Sequence, residues 1–280
     1  MDAPPSVRCA LYRAKTCMLK NFRAIKKKPM LTSQRKQLIL QKLAADGQVL
    51  SKMLSEEFNV SEDTIRRDLR ELSAEGLLQR VHGGALPASA AAATFSERKN
   101  LRLDAKRAIA KRAAALIEPG QVVMIDGGTT TAELITFLPH SLQITVVTHS
   151  PGIALGLADH PLIDVIMIGG RLFRHSLVAV GAAAIENVAN VRADIFFMGV
   201  TGIHAEAGLS TGDYEESCIK RAFAGKAAET VVMASPEKLN TASAWVIGDL
   251  ALINTMIVES DTDEHLLTPF IEKGVTVIKA

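Results

Sequence analysis

VSEDTIRRDL, residues 60–69, decides the fold of the first part of this chain. Ser61 followed by Thr64 starts a helix in the manner of an N-cap, because a side-chain oxygen there accepts an amide hydrogen that has no partner in the first turn. Ile65, Leu69 and Leu72 then recur at intervals of four and three, so one face of the helix is buried. The opposite face carries Glu62, Thr64, Arg66, Arg67 and Arg70. Charge pairing within the helix is one reading of that face, since Glu62 with Arg66 and Asp63 with Arg67 are each four residues apart. A polyanion partner is the other.

Reading backward, Leu38, Ile39, Leu40 and Leu43 make a first amphipathic helix that Gly47 ends. Val49 leads into a second, SKMLSEEF, whose Met53, Leu54 and Phe58 are expected to face inward, and Asn59 and Val60 make a tight connection to the third. Reading forward, LLQRVHGGAL places Leu78 and Val81 in an extended stretch ended by glycine. Three short helices with a sharp turn before the third, followed by a small β-wing, are a winged helix-turn-helix. In that motif the third helix enters the major groove N-terminus first. Ser61 and Thr64 would then donate to phosphates, and Arg66, Arg67 or Arg70 would reach phosphates or guanine edges. Free amides at the helix start add an anion site. Arg80 and His82 of the wing are further candidates for phosphate contact, with a structural role the alternative for His82. The expected partner is a double-stranded DNA operator.

At 280 residues with 48% hydrophobic content, the chain has room for a second and larger core. No apolar run reaches the roughly 18 residues a spanning helix needs, and no signal-peptide pattern follows the basic start, so the cytoplasm is the expected location. Cys9, Cys17 and Cys218 show no metal spacing and are read as reduced thiols. Net charge is only +2, but it is uneven: residues 1–30 hold 8 basic and 1 acidic side chains, residues 31–86 hold 8 of each, and residues 87–280 hold 16 and 21. A basic tail, expected to be disordered, therefore precedes a neutral module and an acidic body. Met30 directly precedes the first periodic segment and is an alternative start.

Residues 87–94, PASAAAAT, are small and begin with proline, which marks a flexible joint within a linker over 87–104. Phe95 to Leu116 read as one helix with a basic face of Arg98, Lys99, Arg102, Lys106, Arg107, Lys111 and Arg112, taken as solvated or as touching DNA flanks. Beyond it come short continuous apolar runs: VVMID, ITVVT, DVIMIG, DIFFMG, ETVVMA, NTMIVE and VTVIK. Strands buried on both faces read this way, so a parallel, Rossmann-like α/β sheet is expected over 105–280, with any ligand at the carboxyl ends of the strands. Asp126-Gly127-Gly128-Thr129-Thr130-Thr131 follows one strand and opens a helix. Glycines and hydroxyls suit an anion there, with a plain tight turn as the alternative. The ends at Thr148-His149-Ser150, Gly169-Gly170 and Gly199 to Gly202 are equally small and polar. Together they describe an open crevice.

The run Arg35–Ala85, above all VSEDTIRRDL with GLLQRVHGGA, resembles the DNA-binding domain of the DeoR family of bacterial transcriptional regulators. The body carries matching motifs: a D-x-G-T-T loop at 126–130, the glycine pair at 169 and 170, and G-L-S-x-x-D-x-x-E-x-x-x-K from Gly208 to Lys220. The resemblance implies a sensor domain similar in fold to ribose-5-phosphate isomerase and coenzyme A transferases. It also implies a phosphorylated sugar or related metabolite as effector, a homo-oligomer on DNA, and repression of carbohydrate-use genes. On that match Asp126, Gly128, Thr129 and Thr130 hold the effector, with Asp213, Glu216, Lys220 and Lys238 lining or supporting the site. Two departures stand out: His149 replaces the family's usual asparagine, and ASPEK at 234–238 puts Ser235 where an aspartate is common.

The competing class is a sugar-phosphate isomerase or transferase with an appended DNA-binding module. Isomerisation needs a carboxylate base beside the sugar, and the stretch that would match the isomerase's acidic segment is GVTGI at 199–203, which has none. No nucleophile elbow, metal spacing or cofactor fingerprint is present. The reading is therefore a regulator without catalytic residues, metal or cofactor.

Overall fold

The computed structural model describes residues 30–89 and 95–280. The expected basic tail and the centre of the linker lie outside the described residues.

Three helices form first: α1 (Thr32–Asp46), α2 (Ser51–Phe58) and α3 (Glu62–Ala74). The two-residue strand β1 (Val49–Leu50) joins a hairpin of β2 (Leu78–Val81) and β3 (Gly84–Pro87). Gly83, at φ 79°, takes the left-handed position in the hairpin turn. Gly84 must lack a side chain because a Cβ there would lie 1.9 Å from the Val49 carbonyl oxygen. Ile39, Leu43, Leu54, Ile65, Leu69, Leu72 and Leu78 fill the core. Met53, expected inside, is 63% exposed: it lies about 100° round the helix from Leu54, off the seam. The core also holds an ion pair, since Arg35 donates to Asp68 from Nε at 2.5 Å and from Nη2 at 3.0 Å, both residues being buried. This pair ties α1 to the middle of α3, and its hydrogen bond holds the Arg35 guanidinium above its ordinary pKa against the opposing effect of burial.

The larger domain is a seven-stranded sheet in the order β15-β14-β12-β9-β4-β5-β6, with every pairing parallel. The strands are β4 (Val122–Ile125), β5 (Ile144–Thr148), β6 (Ile163–Met167), β9 (Ala193–Gly199), β12 (Ala227–Met233), β14 (Thr255–Val258) and β15 (Thr276–Lys279). Each of the seven apolar runs became one of them. Neighbouring residues on a strand enter opposite cores: Phe196 and Met198 pack on one face, Ile195 and Phe197 on the other. In the inner strands burial on both faces is why the runs are continuous rather than alternating, whereas the edge strands β6 and β15 stay partly exposed.

Around the sheet lie α6 (Thr129–Leu134), α7 (Pro151–Gly156), α8 (Ala182–Ala189), α9 (Tyr214–Ala224) and α10 (Glu264–Ile271). A ribbon of β7 (Arg171–Phe173) with β8 (Val178–Val180), and a small antiparallel sheet of β10 (Gly202–His204), β11 (Gly208–Thr211) and β13 (Trp245–Gly248), cover one end. The helix expected over 95–116 is two, α4 (Phe95–Asn100) and α5 (Leu103–Ala114), because Arg102 adopts left-handed backbone at φ 49°. The start of the linker is docked rather than loose. Ala88 bridges to Ala242, and Ser89 Oγ donates to the Thr201 carbonyl at 2.5 Å.

Candidate functional site

The recognition face of α3 stands in solvent. Arg66 and Arg67 are 57% and 77% exposed, and Arg70, Arg80 and His82 are exposed as well. Ser61 caps the helix by accepting from the Thr64 amide at 3.2 Å, and its hydroxyl lies 2.9 Å from the Thr64 hydroxyl. One hydrogen serves that contact, so the pair keeps one O–H for an outside acceptor. Arg66 binds Glu62 at 2.8 Å and Asp63 at 3.2 Å, whereas Arg67 turns to Glu71 at 3.2 Å instead of the Asp63 that its spacing also allowed. These pairs do not lock the arginines. An exposed ion pair is worth about 0–1 kcal/mol, less than the roughly 1–3 kcal/mol of a bidentate contact with a base.

A cavity of about 650 Å³, counting the space open to solvent, lies at the carboxyl ends of β4 and β9. Gly127, Gly128, Thr129, Thr130, Thr131, Glu216, Lys220 and Lys238 line it, as do Ser89, Arg98, Leu101, Lys106, Ser176, Gly199, Val200, Thr201, Thr211 and Glu237. Gly127 has no room for a side chain, since a Cβ would sit 2.0 Å from Val178. The adjoining α6 has only six residues, so the case for an anion rests on side chains rather than on a helix end.

Beneath the cavity lies a buried charge cluster. Asp126 and His149 are fully buried and Lys220 is 2% exposed. The Lys220 ammonium donates to Asp126 Oδ2 and to the Gly199 carbonyl, and the Gly199 amide donates to Asp126 at 2.8 Å. His149 reaches Asp126 Oδ1 through Nε2 and the Ala179 carbonyl through Nδ1, each at 2.8 Å. Glu216 accepts from the Thr211 hydroxyl at 2.7 Å and stands 3.5 Å from Lys220. Burial alone would raise the Asp126 pKa, but the Lys220 charge and the His149 hydrogen bond outweigh it and hold the carboxyl below its usual range. Burial would likewise lower Lys220, and Asp126 and Glu216 hold it above its ordinary value instead. The cluster is internally satisfied.

The cations above it are not. Burial lowers the pKa of Arg98 and of Lys106, against the pull of Glu216 on the first and of Glu237 on the second. Lys238 is pushed down to about 8, by burial first and then by repulsion from Lys106, Lys220 and Arg98, with Glu237 opposing. Arg98 Nη2 donates to the His175 carbonyl at 2.9 Å, but its buried Nε has no partner among the described residues. Lys238 Nζ stands 3.5 Å from the Thr130 hydroxyl. With Lys220 and Glu216 engaged in the cluster beneath, the wall offers three cations, Arg98, Lys106 and Lys238, against one carboxylate, Glu237.

Six candidate residues lie outside the lining. Asp126 and His149 belong to the buried cluster beneath, and Thr148 donates to the Ile125 carbonyl at 2.6 Å. Gly170 packs under Val180, Gly202 packs against Thr241, and Asp213 caps α9 by accepting from the Glu216 amide at 2.9 Å. Arg98 and Lys106, read in the sequence as part of a solvated basic face, are wall residues here. The kink at Arg102 brings them together, with Lys106 donating to the Arg98 carbonyl.

A winged helix-turn-helix with an exposed arginine-bearing helix, followed by a parallel α/β domain that holds a cation-lined cavity, is the architecture of a DNA-binding regulator. The sequence profile of the DeoR-like helix-turn-helix domain matches residues 35–90, and that of the DeoR C-terminal sensor domain matches residues 101–260. The chain belongs to the DeoR family of transcriptional regulators. It is 34% identical to the HTH-type transcriptional regulator GlpR of Haloferax volcanii over 89% of this chain and 98% of that one. It is 28% identical to the glycerol-3-phosphate regulon repressor of Escherichia coli K12 over 85% and 98%. Among solved structures, ribose 5-phosphate isomerase A of Methanocaldococcus jannaschii overlays with a TM-score of 0.37 at 18% identity, covering 49% of this chain and 54% of that one. Among the described residues no helix is long and apolar enough to cross a membrane.

Proposed function

We propose that this chain is a repressor of carbohydrate-catabolism genes, released from its operator when a phosphorylated sugar or related metabolite fills the cavity. The observation that carries the reading is the crowding of Arg98, Lys106 and Lys238 on that wall, where burial, opposed only in part by Glu216 and Glu237, holds all three pKa values down. A bound phosphate dianion would relieve all three. The name of the Escherichia coli relative, a glycerol-3-phosphate regulon repressor, supports the same class of ligand. Nothing in the cavity is assigned a catalytic role, and the isomerase reading finds no support in the regulator names of the relatives.

Transmission has a short path. Ser89 and Arg98 flank residues 90–94 of the linker, and both line the cavity. A ligand that prefers one placement of these two residues biases the linker, and release follows only from unequal affinity for the two states. We take the working form on DNA to be a homo-oligomer, with two recognition helices about 34–36 Å apart for adjacent half-sites. The exposed apolar side chains along and beside the edge strand β6, Leu155, Leu162, Ile166 and Met167, support association of copies.

Titration of an operator fragment from the chain's own upstream region tests this. Arg66→Ala should lose about 1–3 kcal/mol of binding and relax preference at one base pair, and light scattering should find at least two copies per operator. Undiminished binding in the Ala variants of Arg66, Arg67 and Arg70, or one copy per operator, would reject the arrangement.

The pH dependence of ligand binding follows from the charges. A phosphomonoester gains its second negative charge near pH 6, and Lys238 loses its proton near 8. Affinity should therefore climb through about pH 6 and decline beyond about 8, as read by calorimetric titration. A profile still rising at pH 9 would mean that Lys238 does not meet the anion.

A further inference from the structure

One carboxylate in this cationic cavity has no evident use. Glu216 is committed to Thr211 and Lys220. Glu237 is held at one oxygen only, where the fully buried Ser235 hydroxyl donates to Oε1 at 2.5 Å. Its Oε2 is buried in the cavity wall and has no hydrogen-bond partner among the described residues. A buried carboxylate oxygen that faces a cavity and lacks a donor is expected to receive one from what enters. The dianionic phosphate group of a monoester cannot supply it, because like charges repel and that group has no hydrogen to give. A hydroxyl can.

The two demands of the wall are therefore different. Arg98, Lys106 and Lys238 call for negative charge, and Glu237 calls for a neutral donor placed beside it. Ser235 fixes the carboxylate's orientation, so the donor must arrive at a set position relative to the anion end. Alkyl phosphate dianions and sulfate meet the first demand and fail the second, and inorganic phosphate, whose one P–O–H sits on the charged group itself, has no neutral donor set apart from the anion end. A phosphomonoester with hydroxyls along its carbon chain meets both.

We propose that Glu237 is the specificity-determining residue of this cavity, accepting a hydrogen bond at Oε2 from a hydroxyl of the bound phosphomonoester. The site then ranks polyol and sugar phosphates above hydroxyl-free phosphates of equal charge. The alternative role of Glu237, a plain counter-charge for Lys106 and Lys238, forecasts equal affinity for phosphates of equal charge. The proposal rests on the reading of the cavity as an anion site, and the test separates the two.

Full-length protein is titrated with inorganic phosphate, with alkyl phosphates of three to six carbons, and with polyol and sugar phosphates of the same lengths. The wild type should bind at least one hydroxylated ligand about tenfold or more tighter than its alkyl match, in line with a hydrogen bond to a charged acceptor. Glu237→Ala should bring that ratio close to one and tighten inorganic phosphate, because a repelling charge is gone. Glu237→Gln keeps the volume and a neutral acceptor, so its ratio should fall between the two. Equal affinities for hydroxylated and alkyl phosphates in the wild type would overturn the role of Glu237 while leaving the anion site standing, whether or not the variants fold. Parallel tightening of both ligand classes in the variants would reduce Glu237 to a counter-charge. Binding of no phosphate at all would remove the anion reading, and this one with it.

Discussion

Asp68→Ala is expected to cost the DNA-contacting module about 3–5 kcal/mol, the penalty for leaving one member of a buried ion pair alone. Arg35 is 6% exposed and its guanidinium donates two hydrogen bonds to Asp68, so the alanine variant leaves a desolvated cation facing methyl groups. The magnitude decides the outcome. A module of this size holds on the order of 3–8 kcal/mol in total, so the variant should be largely unfolded at 25 °C and operator binding should vanish with it. Chemical denaturation followed by circular dichroism would show the loss in the N-terminal transition, with the sensor transition in place. The companion variant Arg35→Met with Asp68→Leu removes both charges and should recover most of the stability. A loss below about 1 kcal/mol in Asp68→Ala would mean that the pair adds nothing and that the apolar seam alone positions α3.

That pair also marks where sequence reasoning stops. Ile65, Leu69 and Leu72 announced the buried seam of α3 because apolar spacing at 3.6 residues per turn is local. Asp68 lies on the same seam, but its partner is 33 residues away, and nothing in the one-dimensional pattern joins them. The seven parallel strands were legible for a similar reason: burial on both faces leaves runs of apolar residues that no other arrangement requires. The short antiparallel strands β10, β11 and β13 were not, being three or four residues long and interrupted by glycine.

The cavity shows the same division. Its glycine and threonine loop at 127–131 lines the cavity, although its spacing in the sequence suited a plain tight turn as well. Arg98 and Lys106 could not be read as wall residues, because a cation pointing into an enclosed wall and a cation pointing into water look alike in sequence. Only the left-handed turn at Arg102, at a residue type that rarely adopts it, folds α4 against α5 and turns both inward. Asp126 shows the opposite case. The resemblance placed it against the effector, yet three donors, from His149, Gly199 and Lys220, surround it, and its charge holds the floor together.

Removing that floor charge should have the largest effect on the sensor domain. Asp126→Asn keeps the shape but strands the Lys220 ammonium, at an expected cost near the lower end of about 3–5 kcal/mol, because Glu216 and the Gly199 carbonyl stay within reach. The pH signature separates this from a packing defect. The depressed Asp126 pKa contributes stability that is complete above its ordinary value of 3.8 and is lost as pH falls through the lower folded value. The raised Lys220 pKa contributes stability that is complete below its ordinary value of 10.5 and is lost as pH rises through the higher folded value. The wild-type sensor should therefore hold a stability plateau between about pH 4 and 10 as far as this pair is concerned, and Asp126→Asn should lower that plateau and shrink the acid-side fall. In the same variant Lys220 loses its main counter-charge, and so gains positive potential to offer the cavity. Inorganic phosphate should then bind more tightly to the surviving folded protein even as the protein melts earlier. Weaker phosphate binding in a folded Asp126→Asn variant would place Asp126 in direct contact with the ligand and would refute its assignment to the floor.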